Sequence, residues 1–412
     1  MVNNINPVWK TSVNKELSNP PSKLSFSALL EIEKCPRQWV LARANYPEIW
    51  GYKGFPPHIN LSSINGQAIH RALGTVIMAF SKHHCISVND PKTISVLKQL
   101  GGYTNILQES LGNITENYRD NPRFERNKNY FINKLQEDIP RLRPNLQCML
   151  ANLKPPFASY PSLIEKQNFM NDSLTPGSYL EIKIKPEEMG WVGIADLMNI
   201  SDDFIEIVDF KTGGFHEEHI LQIRIYCLLW TKDKILNPKA RTVNKLTLCY
   251  SSGNVDVAVP SSIELGSLEK ELSDRRQMAL NAIKSDQPKA IPNDHCQWCD
   301  VRHLCDDYWN QLMRKSKRIS GLQNQKYFGD LQIRITKIRN LLTCEGTVEA
   351  SEYLGSSSPI LMHMTINANP WAAFLTENIS LRILNASVET YKNEIVGDVV
   401  IISTTEIFLH DA

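Results

Sequence analysis

Glu206-Ile207-Val208-Asp209-Phe210-Lys211-Thr212-Gly213 is the stretch that decides the fold of the central part of this chain. It begins as an apolar strand and ends in a turn. Asp209 and Lys211 are two residues apart, and alternate residues of a strand share a face. A carboxylate there can hold a hard cation, and the lysine beside it can orient a water or stabilise charge on a phosphate. A surface ion pair is the alternative interpretation.

Two further strands precede this segment. Residues 179–185 alternate between apolar and polar side chains, which predicts a strand with one buried face. Residues 191–200 form a second predicted strand, which contains the motif Gly193-Ile194-Ala195-Asp196, and a tight turn at 201–203 joins it to the strand of Asp209. Because neighbouring strands lie ~4.8 Å apart, the carboxylates of Asp196 and Asp209 can converge on one cation.

Three other residues are candidates for the same site. His70 lies in Gly66-Gln67-Ala68-Ile69-His70 on a predicted helix over residues 62–82, and it could complete the metal site. A lone histidine on a helix is often a partly buried structural residue, and that alternative stays open. Phe210 would offer only its backbone carbonyl. Glu181, on the neighbouring strand, could hydrogen-bond to the site or approach the scissile phosphate.

A predicted helix over residues 217–230 follows the lysine. Gln222 and Tyr226 are four residues apart and therefore share a face. If that face packs on the sheet, Tyr226 can stack on a base or bind a phosphate, and Gln222 can contact the nucleic-acid backbone. Arg224 points elsewhere on the helix and is a candidate for non-specific phosphate binding. A core tyrosine with a satisfied hydroxyl is the alternative for Tyr226.

Four of the nine cysteines lie in settings that suggest a shared metal or cluster site. Cys296, Cys299 and Cys305 are close together among polar residues, and Cys35 ends a short predicted helix capped by Ser27. In a reducing compartment, thiolates at this density indicate a metal or cluster rather than a disulfide. His295 as the fourth ligand would give a zinc site. Cys35 as the fourth would give four thiolates, which suits an iron–sulfur cluster that clasps the two ends of a domain.

The remaining pattern divides the chain. We predict an N-terminal tail over residues 1–23, a mixed α/β domain over 24–316 with a helical insertion over about 93–150, and a small all-β module over 326–412. The module has about five strand patterns, which suits a compact, OB-like β-barrel.

Composition limits the class of protein. A chain of 412 residues suggests two or three domains, and 42% apolar with 22% charged residues is typical of a soluble globular protein. No apolar run is long enough to cross a membrane, and the polar start lacks a secretory signal, so we predict a cytoplasmic location. Because the net charge is +1, any nucleic-acid binding must come from local clusters.

Together, these motifs resemble the RecB-like branch of the PD-(D/E)xK nuclease superfamily. They are most similar to its iron–sulfur members, such as the Cas4 nucleases and the nuclease domains of AddB and Dna2. The resemblance covers about residues 24–310. The family's Gly-x-x-x-His matches at His70, its Gly-x-x-Asp at Asp196, its Asp-x-Lys at Asp209 and Lys211, its Gln-x-x-x-Tyr at Gln222 and Tyr226, and its split cysteine set at Cys35, Cys296, Cys299 and Cys305.

The resemblance implies a restriction-endonuclease-like core, Mg²⁺ or Mn²⁺ at His70, Asp196 and Asp209, and a structural [4Fe-4S] cluster. It also implies hydrolysis of DNA phosphodiesters, often near single-stranded ends, in repair, recombination or anti-phage defence, and a helicase or ATPase as partner protein. A DNA-binding or structural subunit with little nuclease activity of its own is the second hypothesis, and a zinc-bound scaffold is the third. The β-module could bind single strands or dock a partner.

Overall fold

The computed structural model describes residues 8–9, 20–47, 49–51, 54–85, 90–153, 173–317, 326–340, 342–363, 375–390, 397–401 and 404–410. Its helices are α1 (Phe26–Lys34), α2 (Pro36–Arg43), α3 (Leu61–Lys82), α4 (Pro91–Gln99), α5 (Gly102–Glu116), α6 (Pro122–Arg126), α7 (Lys128–Asn152), α8 (Glu217–Lys232), α9 (Ser262–Lys284) and α10 (Asp306–Ser316). In this described part, no helix combines the length and the apolar character that a membrane crossing needs.

The strands form two sheets. They are β1 (Val8–Trp9), β2 (Gly177–Ile184), β3 (Gly193–Ile200), β4 (Ile205–Lys211), β5 (Lys245–Tyr250), β6 (Gly253–Val257), β7 (Lys326–Asn340), β8 (Thr343–Ser351), β9 (Pro359–His363), β10 (Ser380–Thr390), β11 (Gly397–Val400) and β12 (Glu406–His410). The mixed α/β fold predicted from the sequence is confirmed.

The first sheet has the order β2-β3-β4-β5-β6. Pairing is antiparallel except between β4 and β5, which are parallel and are joined by α8. Both faces are covered: Ile207 of β4 packs in a core with α8 and α9, whereas its neighbour Val208 packs in a second core with α3, α5 and α7. This explains why β4 is apolar on both faces, as central strands are.

The local structure differs from the sequence-based predictions at a few points. Ser25, not Ser27, is the N-cap of α1: its extended backbone lets the hydroxyl accept from the Ala28 amide at 3.2 Å, whereas Ser27 is already helical. The sequence predicts a polar break in the helical insertion around residues 117–129, and the structure has the short helix α6 there. We did not predict β1 or β12, which pair with each other in parallel. One of the predicted strands of the β-module spans residues 360–366 and corresponds to β9; residues 364–366 lie outside the described residues.

The second sheet contains a closed circuit of five strands. β7 pairs with β8, β8 with β9, β9 with β11, β11 with β10, and β10 returns to β7. Only the β9–β11 pairing in this circuit is parallel. Apolar side chains from several of these strands, such as Ile333, Ile360 and Val388, form one buried core.

Buried ion pairs join the helical region and the cysteine-rich segment to this second sheet. Arg123 of α6 donates to both carboxylate oxygens of Glu406 in β12, at 2.7 and 2.8 Å, and both side chains are buried. Arg302, between Cys299 and Cys305, pairs with Asp330 of β7. Because a buried charge is costly without a partner, each pair fixes the position of the two elements that it joins.

We expect Arg123→Ala to lower the free energy of unfolding by about 3–5 kcal/mol, because Glu406 would keep a buried charge without its main partner. Chemical denaturation of the full chain measures this change. Arg119→Ala is the matched control, since Arg119 forms an exposed pair with Glu116; its unfolding midpoint should match wild type. Equal midpoints for both variants would show that the Arg123 pair does not stabilise the interface.

Candidate active site

Asp196 and Asp209 come together where the pairing of β3 and β4 ends. The ladder stops at Leu197↔Val208, so the two acids occupy the next facing positions on the two strands. The amide N–H of Phe210 donates to Asp196 Oδ2 at 2.7 Å, and this contact fixes one carboxylate beside the other strand. Asp209 is buried, with 2% of its surface exposed. The structure therefore brings the two predicted metal-binding carboxylates together.

The two carboxylates perturb each other. Burial, followed by the charge of Asp196, raises the pKa of Asp209, while Lys211 acts in the opposite direction. Lys211 Nζ lies 2.6 Å from Asp209 Oδ2, and both side chains are largely buried. Converging acids in a low-dielectric setting favour a cation between them, because the cation removes both the repulsion and the desolvation cost. The chemistry of this donor set therefore fits a divalent metal.

His70 reaches the same point from α3. Its Nδ1 lies 3.4 Å from Asp196 Oδ1, and its ring meets the Phe210 ring edge-on, with 5.8 Å between centroids. Burial lowers the pKa of His70, but Asp196 and Asp209 outweigh this effect and the net pKa is raised. One turn earlier, a Cβ on Gly66 would lie 3.0 Å from the Thr212 hydroxyl oxygen. Glycine therefore allows α3 to approach the turn that follows Lys211.

An open cleft of about 790 Å³ runs along α3 past these residues. Asp196, His70 and Phe210 line it, and so does Glu181, whose backbone φ of 50° lies in the left-handed region. Such a conformation is uncommon for a residue with a side chain, and it often marks a functional site. The cleft is also lined by Gln67 and Arg71, which the sequence analysis missed although they lie within one turn of His70.

A chain of hydrogen bonds holds Lys211. Its Nζ donates to Gln222 Oε1 at 2.7 Å, and Gln222 Nε2 donates to the Tyr226 hydroxyl at 2.7 Å. Tyr226 is only 6% exposed, and a Cβ on Gly193 would lie 2.8 Å from its ring. Tyr226 thus presents almost no ring surface to solvent. Gln222 and Tyr226 share the face of α8 that points to the acids, as the spacing predicts.

Arg224 lies on another face of α8. Hydrogen bonds from Ser261 lower the pKa of Glu264, in the first turn of α9, and the nearby charge of Arg224 makes a smaller contribution in the same direction. The Nε of Arg224 is buried and has no hydrogen-bond partner in the described part of the chain. The structure therefore does not bring Arg224 together with the other predicted DNA-binding residues.

The four candidate cysteines Cys35, Cys296, Cys299 and Cys305 line one pocket. Two of the four sulfurs accept a hydrogen bond from a backbone amide. The donors are Gln38 for Cys35 and Asn293 for Cys296, each at 3.4 Å. Burial raises the pKa of Cys299 to about 12 and that of Cys305 to about 11, so these thiols need a cation to ionise at neutral pH.

Among the described residues, no three His, Cys, Asp or Glu side chains stand close enough to hold a metal ion as they are placed. At the acidic site, Asp209 Oδ2 lies beside Lys211 Nζ, and Asp196 Oδ2 accepts a hydrogen bond from the Phe210 amide.

The sequence matches the PD-(D/E)XK nuclease superfamily over residues 23–306. No curated protein matches the chain. Among solved structures, a murine DNA-binding protein bound to double-stranded DNA is 10% identical, with 57% of this chain and 96% of that chain covered and a TM-score of 0.16. The p204 HINb domain is 8% identical, with 58% and 100% covered and a TM-score of 0.15. At these TM-scores neither likeness bears on the fold.

The contact between Gly193 and Tyr226 generates a prediction about stability. Gly193→Ala should lower the free energy of unfolding by about 1–3 kcal/mol, because the new methyl group would displace the Tyr226 ring. Gly266→Ala is the control: Gly266 lies inside α9, and a methyl group added there would have nothing within 4 Å, so the change should stabilise the protein by about 0.5–1 kcal/mol. Denaturant titrations that give both variants the same sign would contradict this account of Gly193.

Proposed function

The chain belongs to the PD-(D/E)XK nuclease superfamily, and on this basis we propose that it is a metal-dependent nuclease that hydrolyses DNA phosphodiester bonds. One observation carries the proposal: two converging carboxylates, Asp196 and Asp209, lie beside the largely buried Lys211, and Asp196 lines an open cleft. We further propose single-stranded DNA or DNA ends as the substrate, in repair, recombination or defence against foreign DNA.

Asp196, Asp209 and His70 would hold Mg²⁺ or Mn²⁺, with the backbone carbonyl of Phe210 as a further ligand. When bound, such an ion lowers the pKa of water and stabilises negative charge on phosphate oxygens. Hard cations of this kind prefer carboxylate and carbonyl oxygens, and Asp196 and Phe210 of this set line the cleft. Burial and then the charge of Asp196 raise the pKa of Asp209, and a cation bound between the two carboxylates would offset both effects.

The residues of the chain have distinct roles in this proposal. Lys211, fixed between Asp209 and Gln222, orients the attacking water or neutralises charge on the scissile phosphate. Tyr226 supports Gln222 from behind, so its role is positioning, and a direct contact of either residue with DNA stays a prediction. Glu181 lines the cleft from the neighbouring strand β2, and in this proposal it approaches the scissile phosphate. The proposed role of Arg224 has no support beyond the sequence.

We expect Asp209→Asn and Lys211→Ala each to lower the cleavage rate at least ~100-fold, because positioned charges of this kind typically contribute that much. Labelled single- and double-stranded DNA with Mn²⁺, with and without EDTA, provides the assay. Lys239→Ala is the control, since Lys239 is exposed on the loop after α8. Wild-type rates from either active-site variant would refute the assignment. DNA binding by a wild-type protein that cleaves nothing would favour the alternative, a DNA-binding subunit.

We propose that the four-cysteine pocket holds a [4Fe-4S] cluster with a structural role. The support is the presence of four cysteines in one pocket and the backbone amides that donate to Cys35 and Cys296, since amide–sulfur hydrogen bonds are a general feature that tunes such clusters. His295 lines the same pocket, so a zinc site remains the alternative. Cys35 at the junction of α1 and α2 would tie the first helices to the segment after α9.

Anaerobically purified wild-type protein should contain about four iron atoms and four sulfides per chain and should be brown. Cys299→Ser should lose the iron and colour and lower the yield of soluble protein. Cys148→Ser is the control, because Cys148 is exposed on α7, and it should keep the full iron content. A colourless, stable wild type with stoichiometric zinc would contradict the cluster.

We also propose that residues 326–412 form an OB-like barrel. The support is the five-strand circuit, in which the third and fifth strands pair in parallel and the fourth returns to the first. OB-folds commonly bind single strands, but a partner protein such as a helicase or ATPase could use the same surface. The predicted domain boundaries and the cytoplasmic location likewise stay proposals.

A further inference from the structure

A histidine–tyrosine pair lies beside Lys211, on the side of β4 opposite to Asp196. His219 Nδ1 is 2.8 Å from the Tyr250 hydroxyl. Tyr250 ends β5 and is the direct parallel neighbour of Lys211, whereas Asp196 lies on β3, at the other edge of β4. Lys211 therefore stands between the proposed metal site and this pair.

His219 also continues the functional face of α8. It precedes Gln222 by three residues and Tyr226 by seven, so all three side chains lie along one face of the helix. Gln222 holds Lys211, which places His219 one turn nearer to the loop that follows β4. The charge of Lys211 is close enough to lower the pKa of His219, second only to burial.

The surface around the pair is aromatic and open. Phe215 is 53% exposed, and its ring lies 6.5 Å from that of Tyr250. The exposed His216 meets the His219 ring edge-on, with 5.2 Å between centroids. Single-stranded nucleic acid commonly binds at exposed aromatic rings that lie next to hydrogen-bond donors, because the bases stack on the rings and the phosphates accept from the donors.

We propose that Phe215, His219 and Tyr250 form a strand-binding platform, in which His219 binds the phosphate next to the scissile one and Phe215 stacks on the adjoining base. The inference rests on the proposed function: the strand would run along the α3 cleft, pass over Lys211 and continue onto the platform. Tyr250 acts as a positioning residue, since its hydroxyl is hydrogen-bonded to Nδ1 of His219 and fixes the ring.

The hydrogen bond with Tyr250 also decides which His219 atom meets the strand. Burial, Lys211 and His216 lower the pKa of His219 to about 4, so the imidazole is neutral at pH 7. When the Tyr250 hydroxyl donates to Nδ1, the ring proton sits on Nε2. The described residues supply no hydrogen-bond partner for Nε2, and this N–H can donate to a phosphate oxygen.

The test measures binding of a fluorescent single-stranded oligonucleotide to the full-length Asp209→Asn protein by anisotropy. In that background, His219→Ala and Phe215→Ala should each weaken affinity about 5–20-fold, as loss of one phosphate contact or one stacked base does. Tyr250→Phe should weaken the affinity less. His219→Gln keeps a side-chain N–H donor, so its affinity should be close to that of the Asp209→Asn parent. His83→Ala is the control, because His83 is exposed at the far end of α3.

Affinities of the His219 and Phe215 variants equal to that of the control would overturn the platform. Should His219→Ala fail to fold, Phe215→Ala still decides, since Phe215 is exposed and contributes little to the core. When His219→Ala and Phe215→Ala are each made in the wild-type background and tested for cleavage, they should raise KM and change kcat little. If the wild type does not cleave with Mn²⁺ but binding still depends on His219 and Phe215, the nuclease proposal fails and the platform stands as a DNA-binding site.

Discussion

Two carboxylates are held together inside the protein at the point where β3 and β4 cease to pair. A buried acid is costly without a partner, and two neighbouring buried acids are more costly still. An ion pair with Lys211 offsets this cost for Asp209, and a hydrogen bond from the Phe210 amide offsets it for Asp196. The remaining site follows from this constraint: Gln222 and Tyr226 fix the lysine, and Gly193 leaves room for the tyrosine.

Much of the central sheet was predictable, because its signals are local. The strand of Asp209 is apolar on both faces, the turn at 201–203 joins it to the strand before it, and the spacing of Gln222 and Tyr226 fixes a common helical face. The relative placement of the two acids was predictable for the same reason, since a short hairpin sets the register of its strands.

Other features depend on contacts between distant parts of the chain, which periodicity cannot reveal. Arg123 and Glu406 are 283 residues apart in sequence, and β12 is recognisable as a strand only through its pairing with β10 and β1. The His219–Tyr250 pair is of the same kind, because the parallel crossover through α8 brings the two residues together. The one local signal was His219, placed one turn before Gln222.

The cysteine-rich segment connects the two halves of the molecule. Its cysteines face the pocket shared with Cys35, while Arg302 pairs with Asp330 and the His303 ring stacks on Phe408 of β12, with 3.7 Å between centroids. One short segment thus contributes to the proposed cluster site and to the contact with the second sheet. Any ligand that orders the cysteines therefore stabilises this contact as well.

The most direct test of the central claim is a titration of the purified protein with Mn²⁺, followed by the loss of the free-ion electron paramagnetic resonance signal. The account predicts that wild-type protein removes Mn²⁺ from solution and that Asp196→Asn, with the same fold by circular dichroism, binds it at least ~10-fold more weakly. Equal Mn²⁺ binding by the two proteins would contradict the claim that these carboxylates form a divalent-cation site.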